Sequence, residues 1–231
     1  MAHLFALSAI LTQLAAPTGQ ATPKSHAVRP TDGDSGTLVA SVRPGGRVSL
    51  RARPNGRSVG VLGARTVYGS PLAMPVVRRR GSWLGVVSAA MPNGRLGWVA
   101  ATSGSLAFGR VKLEIEVNLS RRLLRVWAAG HVVRRMHVGV GRAGTSTPTG
   151  RFSLTDKLRG ADYGSYYGCC ILALSGHQTH TPRGWTGGAR LAIHGGSTAG
   201  AVSAGCLHAS TRDLRYLMRM APLGTQVRIH A

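Results

Sequence analysis

The chain has 231 residues, 43% of them hydrophobic, enough apolar mass for one large domain or two small ones with real cores. Its formal net charge is +22, from 29 Lys and Arg against 7 Asp and Glu, which fits nucleic acid, anionic lipid or an anionic polymer such as a bacterial wall. Aromatic content of 5%, arginines scattered along the chain and the lack of a recognition-helix, zinc-finger or RNA-binding signature argue against nucleic acid.

Residues 1–21 open with an apolar run from Leu4 to Ala16, then Pro17 and small residues ending at Gln20-Ala21. This predicts a secretory signal peptide, although only His3 stands where a positive charge is usual. A run of about 13 apolar residues is too short to span a bilayer, and nothing later is longer, so no transmembrane segment is expected. Residues 22–36, rich in Pro, Ser, Thr, Asp and Gly, read as a linker.

Residues 37–103 read as short strands separated by turns. Val48-Ser-Leu50 alternates, Pro54-Asn-Gly56 turns, and Val59 to Leu62 resumes the apolar run. Trp83 to Val87 and the segment Pro92-Asn-Gly94 to Val99 look like a hairpin. The Val-x-Leu-Arg-x-Arg-Pro opening, the Gly-Ser-Trp-Leu-x-Val strand and the closing Gly-Arg-Leu-Gly-Trp-Val resemble a bacterial SH3-like domain, a small barrel. That resemblance implies either a wall-peptide binder or a spacer that positions its neighbour.

From residue 110 a second domain, 110–231, is expected. Val111, Leu113, Ile115, Val117 and Leu119 alternate with polar residues, the period of a strand with one buried face. Leu123 to Trp127 and Val132 to Val138 predict two further strands joined at Ala129-Gly130, giving an antiparallel meander. Near the end, Ser210-Thr-Arg-Asp213 has the form of a capping box, followed by Leu214, Leu217, Met218 and Ala221 at helical spacing. Pro222 and Gly224 end the helix, and Val227 and Ile229 supply a last strand.

The chemistry concentrates in Ile193-His194-Gly195 and Ser203-Ala204-Gly205-Cys206-Leu207-His208. A thiol titrates above neutrality, so attack on a carbonyl needs a neighbour that takes its proton, and His194 is the candidate base for Cys206. Glycines flanking both residues allow backbone N–H donors to approach a tetrahedral intermediate. The plain alternative is a small core cysteine beside a satisfied loop histidine. Glycine is costly inside an element, and its density here favours the chemical reading. The other two cysteines, Cys169 and Cys170, are adjacent and expected not to pair, because the link is strained, which leaves them free to mispair with Cys206. A zinc site built from Cys169, Cys170, His177 and His180 is the weaker reading, since structural sites favour spaced cysteine pairs, so no metal or cofactor is expected.

The meander, Thr147-Pro-Thr-Gly-Arg-Phe152, Ile-His194-Gly, Ser203-x-Gly-Cys206-Leu and a helix ending in Gly-Thr-x-Val-x-Ile together resemble the L,D-transpeptidase (YkuD-like) catalytic domain. The resemblance implies a mainly β chain: the SH3-like barrel followed by a mostly antiparallel β-sandwich with a short C-terminal helix. It also implies an exported, cell-envelope acyltransferase that cleaves a peptidoglycan tetrapeptide stem before its terminal D-Ala. A cysteine acyl-enzyme is then resolved by an amine. By that resemblance Cys206 is the nucleophile, His194 the base, the Gly195 carbonyl its orienting group, and the N–H groups of Gly205 and Cys206, with that of Ala204 as a further candidate, the oxyanion-hole donors. Ser203, Ala204, His208 and Tyr167 fall at the substrate, with Tyr166 and Trp185 in a lid. The partners implied are stem peptides, together with anionic wall polymers for the basic surface. Three departures stand out: His208 where many relatives have Arg, Ala204 where His is common, and only twelve positions between base and nucleophile. An L,D-carboxypeptidase using water, or a non-catalytic basic wall binder, are the competing readings.

Overall fold

The computed structural model describes residues 36–185 and 188–231. The expected signal peptide and linker lie outside them, apart from Gly36. The chain is mainly β, with one α-helix among the described residues. Seven strands build an N-terminal sheet: β1 (Thr37–Val42), β2 (Val48–Arg51), β3 (Ser58–Leu62), β4 (Ala73–Arg80), β5 (Trp83–Val86), β6 (Gly97–Ala100) and β7 (Leu106–Val111). Their spatial order is β3-β2-β6-β5-β4-β1-β7. The Pro54-Asn-Gly56 turn joins β2 to β3 with Asn55 in the left-handed region at φ 55, a conformation Asn tolerates. The hairpin read from the two tryptophan segments is β5 against β6, with Trp83 opposite Ala100 and Gly85 opposite Trp98. Alternation turns Leu50, Met74, Leu84, Val86 and Val99 into a small core of its own.

The alternation from Val111 to Leu119 does not form one strand. Val111 ends β7, which pairs with β1, and Leu113 begins β8 (Leu113–Asn118) in a different sheet. Both sides of the break at Lys112 bury the same face into one apolar cluster containing Val111, Leu113, Ile115 and Val117. Periodicity reports the buried face and is blind to a change of strand partner.

The second sheet adds β9 (Leu123–Ala128), β10 (His131–His137), β12 (Gly150–Arg159), β13 (Cys170–His177), β14 (Arg190–Gly195), β16 (Leu207–Ala209) and β17 (Gln226–His230); β11 (Val140–Gly141) and β15 (Ala201–Ser203) form a separate parallel pair. The order is β10-β9-β8-β17-β12-β13-β14-β16. The meander β8-β9-β10 is antiparallel, with Ala129 and Gly130 at φ 49 and 80 in the two-residue turn that joins β9 to β10. Strand β17 closes the gap, parallel to β8 and antiparallel to β12. Strand β13 is buried from Cys170 to Gly176, as its continuous apolar run Ile171-Leu-Ala-Leu174 requires. Helix α1 (Thr211–Met220) packs on β13 and β14 through Leu214 and Leu217, both fully buried. Ser210 Oγ caps it by accepting the Asp213 N–H at 3.2 Å, and Arg134 of β10 reaches the Asp213 carboxylate at 2.8 Å.

Cys169 and Cys170 form a disulfide, contrary to the expectation that neighbours stay apart. In a regular strand successive side chains point to opposite faces. Cys169, however, lies in the turn after Gly168, whose φ is 67, and only Cys170 belongs to β13, so the two sulfurs meet on one side. Both thiols named in the zinc alternative are thereby consumed, and Cys206 is the free cysteine.

Candidate active site

Strands β14 and β16 are parallel neighbours with His194 opposite His208. Parallel partners need a crossover of about a dozen residues, and the chain between these two passes through β15, which pairs with β11 at one side of the site. The short spacing between His194 and Cys206 is therefore the length this crossover requires. Both side chains line one cleft of about 120 Å³, with Ala192 and Ala204 beside them.

His194 is buried, and its Nδ1 lies 2.8 Å from the Gly195 carbonyl oxygen. A carbonyl only accepts, so Nδ1 carries the hydrogen and Nε2 keeps a lone pair. Burial lowers the His194 pKa to about 4; the Gly195 carbonyl opposes that shift and His208 adds to it. The Cys206 sulfur lies 3.9 Å from the Arg190 carbonyl. Burial raises the thiol, partly offset by the Ala192 N–H. At neutral pH the pair rests as thiol and neutral imidazole. No hydrogen bond joins the two among the described residues: His194 Nδ1 is turned to the Gly195 carbonyl and the Cys206 sulfur to that of Arg190.

The turn carrying Cys206 is braced from three sides. Ser203 Oγ donates to the Cys206 carbonyl at 2.6 Å and accepts the Gly205 N–H at 3.1 Å. Gln178, outside every sequence expectation, points its amide at the carbonyls of Ala204 (2.9 Å), Thr145 (3.1 Å) and Ser146 (3.2 Å). Gly205 sits at φ 121, and a Cβ there would run into the Gln178 amide, so both backbone and space demand glycine. The Thr147-Pro-Thr-Gly segment joins this frame: Thr147 Oγ1 accepts the Gly141 N–H at 2.8 Å, and the Arg142 N–H donates to the Ser203 carbonyl at 3.0 Å.

Tyr166, Tyr167, Trp185, Ala204, Cys206 and His194 all line the cleft; Ser203, Gly195, Gly205 and His208 do not. The Ser203 hydroxyl and the Gly205 N–H are committed to each other. His208 packs at 4.7 Å from the His194 ring and 6.2 Å from Tyr166, its two ring nitrogens buried without a hydrogen-bond partner. Burial lowers its pKa, and the nearby Ser197 carbonyl offsets part of this without reaching hydrogen-bond geometry. Tyr166 and Tyr167 contact the His194 ring at 5.3 and 5.0 Å, on a 3₁₀ turn (Ser165–Tyr167). The turn rests on the histidine strand through glycines: a Cβ on Gly195 would lie 2.9 Å from Gly168 Cα and from the Tyr167 carbonyl.

The cleft wall also contains Tyr68, Tyr163 and Arg190, residues whose sequence context gave no signal. Beyond this geometry, the profile of the L,D-transpeptidase catalytic domain matches residues 112–229, more than half of the chain. The chain belongs to the L,D-transpeptidase family. The L,D-transpeptidase match begins at Lys112, where the strand pattern breaks between the two sheets. Relatives include the YkuD proteins of Bacillus licheniformis, 29% identical over 126 residues, and of Bacillus subtilis, 28% over 127. Each match covers 52% of this chain, and 66% and 67% of the relative's own length. Among solved structures, an L,D-transpeptidase from Mycobacterium smegmatis is 16% identical, with a TM-score of 0.40 over 61% of this chain and 76% of its own. L,D-transpeptidase 3 from Mycobacterium tuberculosis, in complex with a faropenem-derived adduct, is 14% identical, with a TM-score of 0.44 over 59% and 73%.

Proposed function

We propose that this chain is an exported L,D-transpeptidase that forms a Cys206 acyl-enzyme with a peptidoglycan tetrapeptide stem. The observation that carries the reading is the shared cleft of Cys206 and a neutral, Nδ1-anchored His194. In the first half-reaction Cys206 Sγ attacks the carbonyl before the terminal D-Ala while its proton passes to His194 Nε2. The tetrahedral intermediate collapses as His194 returns the proton to the leaving amine, and D-Ala departs. An acceptor amine, deprotonated by the same histidine, then releases the thioester as a new amide. A carbonyl in place of a carboxylate suits this pair, since a thiol needs less activation than a hydroxyl. Water as the second acceptor would give an L,D-carboxypeptidase from the same intermediate.

Export is supported by the apolar start from Leu4 to Ala16 and by a disulfide, which persists in oxidising compartments. Among the described residues no helix is long and apolar enough to cross a membrane. An SH3-like role for residues 37–103 as a wall-facing module is supported by charge. The stretch holds no Asp or Glu, and Arg78, Arg80 and Arg95 gather beside Trp98 around one surface hollow, a setting for anionic wall polymers.

The test is intact-protein mass spectrometry after incubation with a carbapenem, on the wild type and on Cys206→Ala. A single adduct confined to the wild type is the expected result. No adduct on the wild type, or an equal adduct on the variant, removes the nucleophile. Product analysis with a tetrapeptide stem and a diaminopimelate amine then separates cross-link formation from trimming.

A further inference from the structure

The N-terminal sheet is joined to the catalytic part at named polar contacts, and one of them ends in the cleft. The turn from Thr66 to Ser70 is held by the Thr66 N–H on the Ser70 carbonyl (2.9 Å), the Gly69 N–H on the Thr66 carbonyl (3.0 Å) and Arg65 on the Gly69 carbonyl (2.6 Å). Thr66 Oγ1 accepts the Tyr68 N–H at 3.2 Å and donates to Asp156, a fully buried carboxylate on β12. Asp156 stands 4.0 Å from Arg190, whose guanidinium also donates to the Leu174 carbonyl and Thr155 Oγ1, each at 2.8 Å. That guanidinium lies 5.9 Å from the Tyr68 ring centroid, over its face. Tyr68 in turn meets Tyr163 edge-on at 6.2 Å, and both rings line the cleft that holds Cys206. Arg190 closes the circuit, because its own carbonyl is the group beside the Cys206 sulfur.

We propose that Tyr68, delivered by the N-terminal sheet, is a specificity-determining wall of the acyl-donor site, selecting an extended peptide over a short one. This rests on the reading of the cleft as a peptide acyl-transfer site. The chemistry is that of an aromatic rim: with Tyr163 and Trp185 it offers flat apolar surface to the part of a peptide remote from the scissile bond, where backbone and aliphatic side-chain atoms pack. Arg190 and the Thr66–Asp156 bond act as positioning groups that hold the ring in place. A donor too short to reach the rim would not feel it.

The experiment compares wild type, Tyr68→Ala and Tyr68→Phe on two donors, a full tetrapeptide stem and a dipeptide ending in the same scissile bond. For Tyr68→Ala we expect KM for the tetrapeptide to rise about tenfold with kcat kept, the dipeptide unchanged, and Tyr68→Phe near wild type, since the ring is the contact. An equal effect on both donors, or none on either, overturns the assignment. A second readout needs no turnover: the rate of Cys206 alkylation by iodoacetamide against bulky N-phenylmaleimide. Opening the wall should speed the bulky reagent several-fold and leave the small one alone; an unchanged ratio overturns the wall. A wild type that turns over neither peptide defeats the transpeptidase reading, while the alkylation ratio still decides where Tyr68 stands.

Discussion

At the residue scale the site depends on two neutral groups held neutral by burial. The sign of the resulting pH dependence follows from His194, whose pKa falls from 6.5 to about 4 in the folded chain. Above pH 6.5 the imidazole is neutral folded or unfolded. Between 6.5 and 4 the unfolded chain binds a proton that the folded one refuses, so stability drops as pH falls through that window, by about 3 kcal/mol from this group. Burial lowers His177 and His208 too, so they add in the same direction. Thermal melts from pH 7 to 4 should show this loss, and His194→Gln should flatten much of it. The acid limb of kcat/KM should lie near pH 4 rather than near 6.5. Gly205→Ala should cost about 1–3 kcal/mol by strain at φ 121 and displace Gln178, lowering acylation more than stability alone explains; denaturant melts and adduct rates read the two separately.

At the scale of elements, the strands and the helix were legible where local patterns decide the outcome. The meander follows from alternation and a two-residue turn, and α1 follows from Ser210, Asp213 and the spacing of Leu214 and Leu217. Replacing Ser210 by Ala should cost about 1 kcal/mol by equilibrium unfolding, since it removes the cap on the Asp213 N–H. His194 and Cys206 were legible as a pair because glycine marks the backbone around both. Gln178, Tyr68 and Arg190 were not, since their partners lie 26 to 33 positions away for the Gln178 amide and 90 for the Thr66 bond that seats Tyr68. A polar side chain carries no local trace of which distant carbonyl it will meet. Ser203 looked available to substrate for the same reason, although its hydroxyl is spent within its own turn.

At the scale of the whole molecule, the two sheets share a core as well as polar bonds. Val39 of β1 and Val111 of β7 belong to the same apolar cluster as Phe152, Leu172 and Leu214. Asn93 fastens the joint further, donating to the His177 carbonyl at 2.7 Å and accepting the His177 N–H at 2.9 Å. Asp156→Ala would strip Arg190 of its counter-charge and Thr66 of its acceptor, and should cost about 3 kcal/mol. Because the joint is continuous with the core, calorimetry should show one shifted transition; two separated transitions would mean the sheets melt independently. The Cys169–Cys170 link bears on the molecule in another way. With those two sulfurs tied to each other, the chain presents a single thiol to the solvent and so can serve as its own titrant. A label that modifies one cysteine per native molecule, and three after reduction and unfolding, counts intact Cys206 thiols in any preparation without a substrate.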